Sequence, residues 1–231
     1  MNHSALFLTV ALSLSTATIL SILSLPFAGW IVFSKSRWAS MGESLLTMTL
    51  VLPPAVLGYF LLVIFSPEDW PGAFLARILG HPLPFSFSGL LLASLIYSLP
   101  FAVQPVALAF RQVPPGMIEM AHVLGAGSRT TFWRVIVPLS FQGVATGWIL
   151  GFAHTVGEFG VVMMVGGNIP GETRTLSLKA YDDLLSTSGS GVWGSIAPLL
   201  LFSFLSLLAL NLVRRTGTTG KNGGVRGVPV P

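Results

Sequence analysis

The sequence contains no cysteine, and only 9% of its 231 residues are charged. The absence of cysteine excludes disulfide bonds, cysteine-based metal sites and thiol chemistry. A soluble domain carries about 25% charged residues, whereas this chain is 52% hydrophobic and could not bury so much apolar surface in water. The composition therefore predicts an integral membrane protein with a single domain.

Several motifs of membrane enzymes and carriers are also missing. No GxSxG motif accompanies His154 and no HExxH motif occurs, which disfavours an intramembrane serine protease or metalloprotease. There is no channel filter motif, and the sequence lacks the internal repeat and the several buried ionisable residues typical of secondary transporters. The basic residues give a net charge of +4 but are scattered, so they indicate topology rather than nucleic-acid binding. We expect no catalytic site, cofactor, metal or nucleic-acid partner.

Long apolar stretches predict transmembrane helices, each of which needs about 20 residues to cross a bilayer. The expected fold is an all-α polytopic bundle of about five spans, and we find no further hydrophobic segment for a sixth. The first span lacks the basic start and short apolar core of a cleaved signal peptide, so we expect it to be retained. A short helix lying at the membrane interface is expected at 72–79. The spans are 5–33, 44–65, 87–110, 139–165 and 192–213.

Lysine and arginine are unevenly distributed between alternate loops. One set of segments (34–43, 111–137 and 214–231) holds nine of them, and the other set (the N-terminus, 66–86 and 166–191) holds three. By the positive-inside rule the first set is cytoplasmic, which places the N-terminus outside and the C-terminus inside. We expect a membrane domain at 1–215 and a glycine-rich, disordered cytoplasmic tail at 216–231.

The longest polar interval in the first two thirds of the chain is 119–138, EMAHVLGAGSRTTFWRVIVP. Pro114 and Pro115 before it suit the first turn of a helix, where the missing N–H costs nothing. Gly125 then predicts a break, because glycine supplies the backbone freedom of a tight turn. Ser128 is a candidate N-cap for a second short helix.

This interval resembles the cytoplasmic EAA loop of binding-protein-dependent ABC transporter permeases. Glu119, Ala121, Gly125 and Pro138 match the pattern at its spacing, and the departures at other positions exchange one apolar residue for another: Met120, Val135 and Val137. The resemblance implies that the loop 111–137 folds as coupling helices that sit in a groove of a cytoplasmic ATPase.

Three charged residues of this loop have two interpretations each. Glu119 either contacts the ATPase and shapes the loop, or stabilises the start of its own helix through the helix dipole. Arg129 and Arg134 either pair with ATPase carboxylates or anchor the loop at an anionic membrane surface.

The resemblance extends over nearly the whole chain through LVLPPAVLGYFLL and GEFGVVMMVGGNIPGETRTLSLKAY. Both runs look like the molybdate-type permease within the molybdate, tungstate and sulfate branch. Sulfate permeases of this branch are typically longer, so the length favours molybdate, while tungstate stays open. The resemblance implies a type I ABC importer permease in the cell membrane. Two copies form the pathway, two ATP-binding cassette subunits bind below, and an extracytoplasmic molybdate-binding protein docks above.

Unusual residues inside the spans are candidates for the pathway or its gate. Pro53 and Pro54 remove two backbone donors and kink the second span, either for packing or for gating. Glu158 is the only acidic residue deep in a span, and His154 lies one turn earlier on the same helical face. Because an anion path should not present a bare carboxylate, we expect Glu158 to act structurally or in gating, paired with His154 or hydrogen-bonded.

The second outer loop, from 166 to 184, is a candidate contact region for the oxyanion or for the binding protein. A tetrahedral oxyanion is bound by N–H and O–H donors without full counter-charge, and such donors are concentrated here. The Pro–Gly pair predicts a type II turn. The candidate residues are Asn168, Pro170, Gly171, Thr173 and Thr175.

Overall fold

The computed structural model of the protein describes residues 3–186 and 192–219, and every regular element in these two ranges is helical, as predicted. A π-helical stretch, Phe132–Ile136, separates α7 from α8. The helices in chain order are α1 (His3–Phe33), α2 (Arg37–Val51), α3 (Pro54–Ile64), α4 (Trp70–Leu79), α5 (Phe87–Arg111), α6 (Pro115–Val123), α7 (Ser128–Thr131), α8 (Val137–Leu139), α9 (Phe141–Gly157), α10 (Gly160–Gly166), α11 (Leu176–Leu185) and α12 (Val192–Thr219).

The centre of the bundle is formed by α1, α5 and α9, which pack against one another. Small residues permit the close approach of their backbones. Ala28 on α1 is completely buried, and a Cβ added at Gly147 of α9 would lie 2.7 Å from the carbonyl oxygen of Ala102 on α5. Helices in a membrane associate through such tight packing, because lipid provides no hydrophobic drive between them.

Buried apolar side chains form clusters toward the two ends of the bundle. One cluster includes Phe110 and Ile136, and another includes Leu83 and Val165. We call the end that carries α6, α7 and α8 the loop end. The end that carries α4 and residues 166–175 is the far end.

The number of membrane spans agrees with the prediction of about five. Within the described ranges, α1, α5 and α12 are each long and apolar enough to cross a membrane, and two bent helix pairs raise the number to five if each pair is one span. The pairs are α2 with α3, bent by 116°, and the segment 128–139 with α9, bent by 68°.

The second predicted span, 44–65, is wrong as a single kinked helix. It is broken into α2 and α3 because Leu52 and Pro53 both adopt extended backbone, with ψ angles of 135° and 132°. A residue that precedes proline is pushed out of the helical region, and Leu52 and Pro53 each precede one. The proline pair therefore ends one helix and begins another.

The fourth predicted span, 139–165, is also divided. α9 ends at Gly157 and α10 begins at Gly160, because Glu158 between them is extended with ψ 130°. Glu158 thus lies in a break between helices and not within one. The two broken spans touch at their breaks, since a Cβ added at Gly160 would lie 2.7 Å from the Pro54 Cβ.

Two helices outside the spans, α4 and α11, had different outcomes: the first was predicted and the second was missed. The helix expected at 72–79 is confirmed as α4. The region 166–184 was expected to be a loop, but it contains α11, whose N-cap is Thr175. Apolar residues four apart, at Leu176, Ala180 and Leu184, were the available signal.

The C-terminal tail predicted at 216–231 is only partly within the described residues. The last helix continues as far as Thr219. Residues 220–231 of the predicted tail lie outside the part of the chain that the structure describes.

The contact between α3 and α10 generates a stability prediction. A Cβ added at Gly58 would lie 2.9 Å from the Val161 Cα and 2.8 Å from the Met164 Cβ. We expect Gly58→Ala to destabilise the detergent-solubilised protein by about 1–3 kcal/mol, because the backbones must separate. Gly116→Ala is the matched control, since no atom lies within 4 Å of the added Cβ. Equal thermal unfolding of the two variants would contradict this packing.

Candidate functional site

The loop end carries a helix with a defined C-terminal stop. α6 runs from Pro115 to Val123, and Gly125 just beyond it is in the left-handed conformation, at φ 83°. The N–H of Gly125 donates to the His122 carbonyl, and the N–H of Ala126 donates to the Ala121 carbonyl. This is a Schellman motif, which favours glycine at the left-handed position. No atom lies within 4 Å of a Cβ added at Gly125, so backbone strain, not a clash, restricts this position.

The second part of the loop differs from the prediction at its start. Gly127, not Ser128, is the N-cap of α7, and it makes no side-chain capping bond. The π-helical stretch that follows fastens the loop to the bundle. Phe132 contacts the Phe110 ring at a centroid distance of 5.6 Å, and Ile136 is buried in the same apolar cluster.

Pro138 and Ala121 are placed differently in this loop. Pro138 is exposed within α8, just before the 68° bend into α9. Ala121 is 9% exposed and faces the inner side of α6. Pro138 thus belongs to the bend, and Ala121 belongs to the packing beneath α6.

The outer side of the loop is charged and apolar at once. Glu119, Arg129 and Arg134 are exposed, and within residues 3–186 and 192–219 none of them makes an ion pair or side-chain hydrogen bond. Glu119 is not in the first turn of α6, so the interpretation that it stabilises its own helix start is wrong. Val123 and Leu124 beside it are 86% and 81% exposed. Charged and apolar side chains are thus exposed side by side on this face of the loop.

A second site lies toward the far end, where a groove of about 600 Å³ opens beside the break between α9 and α10. Glu158 lines this groove although it is only 4% exposed. Its Oε2 accepts a hydrogen bond of 3.0 Å from Ser94 of α5. Its backbone carbonyl accepts one of 2.6 Å from Ser177 of α11. The break is thereby tied to two other helices.

His154 lines the same groove but has its own partners. Its Nδ1 lies 2.9 Å from Ser98 Oγ, and its ring stacks on Phe101 at a centroid distance of 3.9 Å. No ion pair or hydrogen bond joins His154 to Glu158 in the part of the chain that the structure describes. Of the two predicted alternatives for Glu158, the pair with His154 is wrong, and hydrogen bonding is confirmed, with Ser94 as the donor. Sequence reasoning missed both serines, since neither belongs to a motif.

The proline pair borders this groove. Pro54 lies in its lining together with Gly160, and Pro53 is the N-cap of α3. The structure thus brings the proline pair, His154 and Glu158 together, as the sequence analysis grouped them.

The candidate residues of the second outer loop hold the loop together. Asn168, at φ 58°, donates to Asp182 at 3.0 Å and accepts from Arg174 Nε at 2.9 Å. Thr173 is buried and donates to the Gly166 carbonyl. These side chains already have partners within the chain and offer few free donors to a ligand.

The remaining loop candidates are a turn and a cap. Gly171 has φ 85°, and the N–H of Glu172 donates to the Ile169 carbonyl, which confirms the predicted Pro170–Gly171 turn. Thr175 is 2% exposed and caps α11. Of the five candidate residues, Pro170 and Gly171 in the turn are the exposed ones.

Comparison with known proteins identifies the family. The profile of the family described as "binding-protein-dependent transport system inner membrane component" matches residues 20–217. The chain belongs to this family. It is 43% identical to the molybdenum transport system permease protein ModB of Azotobacter vinelandii, over 92% of this chain and 94% of that protein. It is 30% identical to the probable sulfate transport system permease protein cysT of Zygnema circumcarinatum, over 91% of this chain and 72% of that protein.

The fold of this inner membrane component has a solved counterpart. A chain of the MetNI methionine ABC transporter, in an inward-facing conformation, matches it with a TM-score of 0.70 at 15% identity. The match covers 91% of this chain and 94% of that chain. The chain is therefore a multi-pass permease of the cell membrane with the fold of a type I ABC importer.

One polar cluster of this permease was not anticipated. Asp183 on α11 accepts hydrogen bonds from Ser195 of α12 at 2.6 Å and from Lys179 at 2.9 Å. These two bonds lower the pKa of Asp183. The bond from Ser195 fastens α12 to α11 at the far end of the bundle. A sequence offers no signal for the serine, because its partner lies on another helix.

This cluster predicts a pH dependence of stability. Since the folded-state pKa of Asp183 is lowered, the stabilisation is fully present above the unfolded value of about 3.9 and is lost as the pH falls through the folded value. We expect Ser195→Ala to lower the free energy of unfolding by about 1–2 kcal/mol at neutral pH and to weaken the acid dependence.

The control is Ser203→Ala, because Ser203 bonds only to the Leu199 carbonyl of its own helix. Thermal unfolding in detergent between pH 3 and 7 measures both variants. Identical acid profiles for Ser195→Ala and the unaltered protein would show that the cluster does not act as described.

Proposed function

We propose that this chain is the permease subunit of an ATP-driven importer of molybdate. The observation that carries the proposal is its 43% identity to ModB over almost the full length of both chains. The chain forms the pathway and does no bond chemistry. ATP hydrolysis belongs to a partner subunit.

The loop end docks on that partner. The exposed side of α6 combines Glu119 with apolar side chains, and a rigid Schellman turn at Gly125 holds its tip. Such a surface suits a groove in a cytoplasmic ATPase. Phe132 and Ile136 are packed into the bundle, so a shift of the docked loop reaches α1 and α5 directly. Arg129 and Arg134 add positive charge to the same face.

The working assembly contains two copies of this chain, two ATPase subunits and an external molybdate-binding protein. ATP binding draws the ATPases together, the loops follow, and the pathway turns outward. Hydrolysis returns it to the inward-facing state. Among the described residues, Pro170 and Gly171 at the exposed turn are the best placed of the outer-loop candidates to meet the binding protein.

Two other substrates fit the same architecture. Tungstate has the charge and shape of molybdate, and the binding protein selects between them. Sulfate is less favoured, because the sulfate relative is less similar and the chain spans only 72% of its length. A secondary anion carrier is the alternative of a different class, and it would work without any ATPase.

The proposed orientation places the loop end in the cytoplasm, since its loops hold most of the Lys and Arg residues. The chain has no cysteine, so Ser128→Cys and Glu68→Cys each introduce a single thiol at an exposed site. We expect a membrane-impermeant maleimide to label the Glu68→Cys variant in intact cells and the Ser128→Cys variant only after permeabilisation. The reverse labelling pattern would show that the orientation in the membrane is opposite to the proposed one.

The main test is uptake of labelled molybdate into proteoliposomes that contain the permease, its ATPase and its binding protein. We expect ATP-dependent uptake by the unaltered protein. Glu119→Arg should reduce it by about tenfold or more, because the reversed charge faces the same ATPase surface at close range. Glu68→Arg, an exposed charge reversal at the far end, is the control.

Co-purification of the ATPase separates docking from coupling. Loss of both the ATPase and uptake in Glu119→Arg supports docking, whereas a retained ATPase without uptake assigns Glu119 to coupling. Uptake without any ATPase would contradict the importer function and show that the chain is a secondary carrier. Competition by tungstate and sulfate ranks the substrates.

A further inference from the structure

The groove beside the α9–α10 break contains no basic residue except a histidine. Three of its lining residues are ionisable, namely Tyr97, His154 and Glu158, and Pro54, Gly157 and Gly160 complete its main walls. Neither lysine nor arginine belongs to this lining. An anion that passes here meets no fixed positive charge.

Glu158 has one oxygen without a partner. Oε2 accepts from Ser94 at 3.0 Å, but Oε1 is fully buried and has no hydrogen-bond partner among the residues that the structure describes. Buried polar atoms are almost always hydrogen-bonded, so an unpaired one points to an absent group. Glu158 lines the groove, so an occupant of the groove becomes the partner of Oε1 once a movement of the wall exposes this buried oxygen.

The neighbouring histidine does not supply that partner. Thr155 donates its only hydroxyl hydrogen to the Gly151 carbonyl at 2.9 Å, so Ser98 must donate to Thr155, which lies 3.1 Å away. Ser98 then accepts from the Nδ1–H of His154 at 2.9 Å. This N–H is therefore engaged within the bundle.

Other elements packed around the break bring no free cation. Lys179 of α11 is bound to Asp183, and Arg174 is bound to Asp182. Tyr97 of α5, which is uncharged when protonated, lines the groove. The lining residues from α3 and α10 are uncharged. A charged Glu158 would thus lack an opposite charge within these contacts.

We propose that this groove contacts the transported oxyanion and that Glu158 does so as a carboxylic acid, which donates a hydrogen bond from Oε1. The proposal rests on the proposed function. A fully ionised tetrahedral oxyanion has only acceptors, so a carboxylate would repel it, whereas the acid form offers a donor. Contact through neutral donors is weak enough for release, which a transport pathway requires.

The chemistry predicts different effects for two substitutions. Glu158→Gln keeps a neutral donor of the same shape, and we expect it to retain uptake within about threefold of the unaltered protein. Glu158→Ala removes the donor and should lower uptake by about tenfold or more. Glu68→Gln, on the exposed loop before α4, is the control for loss of a carboxylate elsewhere.

The pH dependence separates Glu158 from His154. In the unaltered protein, uptake should fall as the pH rises, because the carboxylate form places a negative charge in the groove. Glu158→Gln should remove this fall, although His154 and Tyr97 are still present. If Glu158→Gln keeps the same pH profile, the proposal is overturned.

An infrared difference spectrum gives a readout independent of transport. The purified permease–ATPase complex should show the carbonyl band of a protonated carboxyl group, and Glu158→Gln should lack it. Absence of the band from the unaltered complex overturns the proposal. Equal loss of uptake in the Gln and Ala variants, with the ATPase still bound, also overturns it. Failure of the unaltered protein to take up molybdate with ATP would instead defeat the proposed function.

Discussion

Backbone polar groups inside a bilayer have no water to bond, and this constraint governs the whole bundle. Two spans nevertheless break, at Leu52–Pro53 and at Glu158–Phe159. The breaks are tolerated because they meet each other and border a groove. Ser177 bonds to the Glu158 carbonyl. A groove that can hold water or an anion is the place where irregular backbone can exist at membrane depth.

The same arrangement links the two ends of the permease. α9 begins at the bend after α8, at the loop end, and ends at the break that carries Glu158. Gly143 and Gly147 of α9 allow its backbone to pack directly against the backbone of α5. In the proposed mechanism, a displacement of the loop end reaches the groove through α9, and the bond between Ser94 of α5 and Glu158 joins α5 to the same break.

The sequence was sufficient for the helical class, the span count and the turn at Gly125, because these follow from local chemistry: apolar length, proline and glycine. Prediction from the sequence failed for features that depend on contacts between residues far apart in the chain. Hydropathy cannot separate a kinked span from a broken one, so the second and fourth spans were drawn as continuous. Helical spacing offered His154 as one alternative partner of Glu158, yet serines of α5 bind both side chains. Only the fold brings α5 to them.

The lack of lysine and arginine in the groove suits the release of a transported anion. Fixed positive charges in a pathway would bind a doubly charged oxyanion tightly and hold it there. Most of the described Lys and Arg side chains lie at the loop end; at the far end Arg174 and Lys179 are in ion pairs, and Arg77 lies on α4. None of them lines the groove, whose polar side chains are Tyr97, His154 and Glu158. Tight capture is then left to an external binding protein, and the membrane subunit provides a path from which the anion can leave. In such a path a lone carboxyl group is tolerable only when it is uncharged.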